Sequence, residues 1–68
     1  MVKLSLKAAR VNANLQQKEA AARLGISNRT LGKWENGKTV VPADKIVAIC
    51  NLYKLHYDNI NFLPARSL

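Results

Sequence analysis

Apolar residues recur along this chain in short groups at helical spacing, each closed by a turn-forming residue. Leu6, Ala9 and Ala13 lie behind Ser5, a good N-cap, and predict a first helix from about Ser5 to Ala13. Asn14 follows where a left-handed residue would end it. Ala20, Ala21 and Leu24 share one side of a second helix, about Gln17 to Leu24, with Gly25 as its stop. The run Ala20-Ala21-Ala22 has high helix propensity and lets a neighbouring helix come close. A third helix starts at the N-cap Ser27 and ends at Asn36-Gly37, its apolar side being Leu31 and Trp34 joined by Ile26. The strongest periodicity is in the fourth, where Ile46, Ile49, Cys50 and Tyr53 follow i, i+3, i+4, i+7 and Pro42 suits the first helical position. A further short turn, Tyr57 to Phe62, would close the core with Tyr57, Ile60 and Phe62. Alternating strand patterns are weak throughout.

These elements predict an all-α fold, a compact bundle of four to five short helices in one domain over residues 1–68. The core is expected over about 5–62, with 63–68 a flexible tail. Only Gly25-Ile26-Ser27 separates the second and third helices, and a short turn containing Gly is the mark of a helix-turn-helix.

Composition narrows the possible activities. The 68-residue chain holds one Cys and one His, too few for an intramolecular disulfide or a zinc site. At this size folding buries only about 60% of the surface of the unfolded chain, so stability is modest. No apolar run approaches the ~20 residues of a membrane span, and the N-terminus MVKLSLKAAR has no signal-peptide pattern. A cytoplasmic, nucleoid-associated protein with no membrane partner is expected. Eleven Lys and Arg against four Asp and Glu leave +7, a balance suited to a polyanion, nucleic acid first. His56 has no nucleophile beside it in sequence and Cys50 lies on an apolar stripe, so no enzyme is expected.

The third helix carries the informative chemistry. With Leu31 and Trp34 inward, about 100° per residue places Asn28, Arg29, Gly32 and Lys33 together on the opposite face. Asn can pair bidentately with adenine, and Arg or Lys with guanine, from the major groove. Asn28 and Arg29 lie in the first turn, the part of a recognition helix that enters the groove. Without that context the same four residues would read as a solvated face. Gly32 costs an isolated helix up to about 1 kcal/mol relative to Ala. On this face its missing side chain would let the helix backbone approach DNA closely.

The run "QKEAAARLGISNRTLGKWENGK" resembles the helix-turn-helix of phage repressor and Cro proteins, the Xre-type regulators. Gln17, Ala21, Gly25, Ser27, Leu31, Glu35 and Gly37 stand at that family's spacing, and the resemblance extends more loosely from Leu6 to Phe62. It implies a lambda-repressor-like DNA-binding fold and assigns roles to matching positions. Asn28, Arg29 and Lys33 would read bases, with Gly32 among them. Gln17 would bond a phosphate and brace residue 28; Lys18, Asn36, Lys38 and nearby backbone amides would hold further phosphates. Arg10 and Glu35 match a salt bridge that ties the first helix to the end of the third.

Departures from the family pattern carry expectations of their own. Gln16 replaces the usual Ser or Thr N-cap of the second helix and should weaken its start by about 1 kcal/mol. Ala20 replaces a larger apolar residue, which predicts a thinner core or a compensating neighbour such as Trp34. Lys54 stands where Gly often ends the fourth helix. Val40 and Val41 occupy a loop where some relatives carry basic residues, so DNA contacts from that loop are not expected.

The function implied is sequence-specific binding of double-stranded DNA by a small transcriptional regulator without cofactor or small-molecule ligand. A homodimer on a palindromic operator would supply the contacts that one module lacks, with half-sites about 34 Å apart. Tyr57 to Leu68 is the candidate dimer segment. A chain this short leaves no room for an effector domain, which favours a Cro-like switch protein of a phage or mobile element; the DNA-binding part of a longer repressor would read the same. The alternative from another class is a helix-turn-helix interaction module, such as an antitoxin that neutralises a partner protein.

Overall fold

Ser5 begins the first helix as its spacing predicts: its hydroxyl accepts the Ala8 amide at 3.0 Å. In the computed structural model, which describes residues 3–62, that helix is α1 (Leu6–Asn12). It is followed by α2 (Gln17–Leu24), α3 (Asn28–Glu35) and α4 (Ala43–Tyr53). A 3-10 turn at Tyr57–Asn59 leads into a short strand, Ile60–Asn61, parallel to Leu4–Ser5. These are β2 and β1, with Leu4 opposite Ile60 and Ser5 opposite Asn61. The architecture is an all-α bundle whose two-residue strand pair ties the start of α1 to the segment after α4.

Left-handed residues end the helices where the turn chemistry requires. Asn14 has φ 61° and Gly25 φ 73°. After α2 the Ile26 and Gly25 amides return to the Ala21 and Ala22 carbonyls, a closure that the left-handed Gly25 permits without a Cβ penalty. Lys54 takes the same conformation at φ 58° although it has a Cβ, so α4 stops with local strain. The weak start of α2 also appears as expected, because Gln16 makes no side-chain capping bond. Pro42 is displaced by one position from the expectation. It is the extended N-cap of α4, and Ala43 is the first helical residue.

The core lies between the four helices. Leu31, Ile49 and Ile60 are its largest fully buried side chains, surrounded by Leu6, Leu24, Trp34, Val41 and Tyr53. Ala9, Ala20 and Ala21 are buried too, and their small size permits close helix approach. The segment after α4 corrects two expectations. It is an extended pairing rather than a helical turn beyond Asn59, since a strand this short leaves no alternation to detect. Tyr57, expected in the core, is 56% exposed and stacks on half-buried Phe62 with ring centroids 5.5 Å apart. Ile60 takes the inward place instead. The expected tail over 63–68 lies outside the described residues.

Candidate nucleic-acid interface

Helix α3 is built from its cap outward. The Ser27 hydroxyl accepts the Thr30 amide at 3.0 Å and starts α3 immediately after the Gly25-Ile26 turn. Leu31 and Trp34 are buried against the bundle, which turns Asn28, Arg29 and Lys33 out to solvent with half-buried Gly32 between them. At the other end Gly37 is left-handed, φ 71°, and the Lys38 and Gly37 amides close on the Lys33 and Trp34 carbonyls. The Asn36 amide also returns to Gly32. The amides of residues 36–38 are thus spent within the protein, a correction to the expected backbone contacts. The Asn36 and Lys38 side chains are both on exposed residues.

A buried ion pair links α1 to the end of α3. Arg10 Nε donates to Glu35 Oε2 at 2.7 Å, and Nη2 to Oε1 at 3.4 Å. Arg10 Nη1 also donates to the Leu15 carbonyl at 2.8 Å, so the guanidinium spans the turn between α1 and α2. The side chains are only 9% and 3% exposed, and the pair takes the role expected of it. Gln17 joins the same cluster: its Nε2 donates to Glu35 Oε1 at 3.0 Å. The expected brace to residue 28 is not formed, because the carboxylate is the stronger acceptor within reach. Lys18, on the exposed first turn of α2, is free to face a phosphate.

Two supports were not legible in the sequence. Lys45, on α4, donates from Nζ to the Leu24 carbonyl at 2.8 Å and places a cation at the negative end of α2, beside the turn. Its sequence signal was only that of one basic residue on an amphipathic helix. Tyr53 lies near Arg10 and Glu35 with its hydroxyl buried and without a hydrogen-bond partner among the described residues. Burial pushes its phenol up to about 12, the Glu35 carboxylate adds to the rise, and Arg10 opposes it. Cys50 is half-buried on α4, and burial raises its thiol.

The surface therefore joins an exposed set of donors on α3 to a rigid, buried base. Among the described residues no three potential metal ligands gather, and no helix is long and apolar enough to cross a membrane. A family model described as helix-turn-helix matches residues 6–60. Comparison with curated proteins and with solved structures gives no match.

Proposed function

The chain belongs to the helix-turn-helix family of Cro/C1 type, whose members bind double-stranded DNA, and we propose that it is a sequence-specific transcriptional regulator that binds a palindromic operator as a homodimer. The observation that carries this reading is the division of α3. Leu31 and Trp34 are buried while Asn28, Arg29 and Lys33 face solvent. Asn28 and Arg29, in the first turn, would enter the major groove and read base edges, with Lys33 one turn further on. Gln17, Lys18, Asn36 and Lys38 flank that helix and would hold phosphates.

The net charge of +7 adds a sequence-independent attraction through counterion release. A second copy would dock through the Tyr57–Phe62 stack. That stack borders a groove of 280 Å³ lined also by Val40, Val41, Ile46 and Ile60. Val40 is 70% exposed and extends the apolar surface there. The regulator acts by binding alone: occupancy of a promoter excludes or recruits polymerase.

Selection from a randomised duplex pool tests the reading. The protein should enrich an inverted repeat, and its affinity should fall with salt at a log-log slope of about −0.9 per phosphate neutralised. Asn28→Ala, Arg29→Ala and Lys33→Ala should each relax base preference, at about 1 to 3 kcal/mol per lost bidentate pair, with folding intact. A pool left unenriched and a flat salt response would refute it, and would turn attention to a protein partner.

A further inference from the structure

Gly32 lies in the middle of α3, where a glycine costs helix stability and no turn demands it. A Cβ built there would meet no backbone; its nearest neighbours would be Gln17 Nε2 at 3.7 Å and Gln17 Oε1 at 3.8 Å. The Gln17 carboxamide therefore lies across the helix at this position. Its orientation is determined by chemistry, since the Glu35 carboxylate only accepts hydrogen bonds and so must face Nε2, at 3.0 Å. Glu35 is in turn held by Arg10. One N–H of Gln17 is used by Glu35, which leaves its second N–H and Oε1 without a partner among the described residues, Oε1 lying 3.8 Å from a Cβ built at Gly32.

We propose that Gly32 is a positioning residue for Gln17. By carrying no side chain it leaves the seat in which Glu35 holds the carboxamide against the reading face. Gln17 then offers its second N–H to a phosphate in a single orientation. The inference rests on the DNA-binding reading above and deepens its phosphate contact at Gln17, whose orientation operates through Gly32 and Glu35. A Cβ at 3.7 Å is an ordinary contact, so Ala fits the seat. A branched, longer side chain occupies the volume of the carboxamide and displaces it.

A double-mutant cycle on the duplex recovered by selection tests the proposal. Gly32→Leu and Gln17→Ala should each lower affinity about tenfold, the scale of one lost charge-assisted hydrogen bond. If Gly32 acts through Gln17, the double variant should bind no worse than either single one. Gly32→Ala should bind as the wild type does. Losses that multiply in the double variant, or an equal loss in Gly32→Ala, would mean that DNA meets the α3 backbone directly, and would overturn the proposal.

A measurement without DNA reads the seat itself. The Gln17 side-chain amide protons should exchange slowly in ¹⁵N-labelled wild type and in Gly32→Ala, and lose that protection in Gly32→Leu. Unchanged Gln17 resonances in Gly32→Leu would also overturn the assignment. Failure of the functional reading is separately visible, because wild-type protein would then enrich no duplex.

Discussion

Removing one partner of the Arg10–Glu35 pair should cost most of the stability of this domain. With Arg10→Met the Glu35 carboxylate, 3% exposed, retains the Gln17 amide as its one side-chain donor among the described residues. The variant also loses the bond that Arg10 makes to the Leu15 carbonyl. Leaving such a charge uncompensated costs about 3–5 kcal/mol. A chain of this length has a total stability of about 3–10 kcal/mol. Urea unfolding followed by Trp34 fluorescence is the natural assay, since Trp34 is the one tryptophan and is buried. With an m-value of about 1 kcal/mol/M, the midpoint should fall by about 3 M or the protein should be unfolded in buffer. Arg10→Met with Glu35→Leu should recover most of the loss, because no unpaired charge then remains in the core. A single Arg10→Met variant within about 0.5 kcal/mol of wild type would refute the reasoning. So would an Arg10→Ala protein that folds normally yet reads different bases, because Arg10 would then belong to the DNA surface.

Other perturbations have smaller, signed outcomes. Lys54→Gly relieves a left-handed non-glycine residue, φ 58°, and should raise stability by about 0.5–1 kcal/mol, seen as a higher Tm in a thermal scan. Lys45→Met removes the cation from the Leu24 carbonyl and should cost about 1–2 kcal/mol by urea titration; no change would show that solvent can replace that bond. Tyr53→Phe deletes a buried hydroxyl that has no partner, so its stability at neutral pH should be equal to wild type or up to about 1 kcal/mol higher. The same phenol sets an alkaline limit. Its folded value, about 12, lies above its ordinary value of 10, so the unfolded chain releases this proton first. That contribution is fully present below pH 10 and lost as pH rises toward 12. Comparing Tyr53→Phe with wild type across that window isolates it, and identical pH slopes would count against it.

The helices were legible because each is specified locally. Ser5 and Ser27 cap their own first turns, and Asn14 and Gly25 take the left-handed backbone that their chemistry allows. The outward face of α3 was legible for the same reason, since burying Leu31 and Trp34 obliges Asn28, Arg29 and Lys33 to face away. The Arg10–Glu35 pair was legible only through family resemblance, because no local rule links residues 25 positions apart. The β1–β2 pairing and the exposure of Tyr57 were hidden because a two-residue strand has no pattern of its own.

Local propensity and periodicity along the chain were thus sufficient for four helices, the short glycine turn and the side of α3 that faces solvent. Tertiary packing alone decided what supports that side. It brought Lys45 of α4 to the end of α2, put the Tyr53 hydroxyl beside a buried ion pair, and laid Gln17 over Gly32 under the hold of Glu35. The physical reason is range. Caps and helical spacing act over three or four residues. A carboxylate's choice among donors depends on which side chains the bundle brings within about 3 Å of it, and sequence order does not encode that distance.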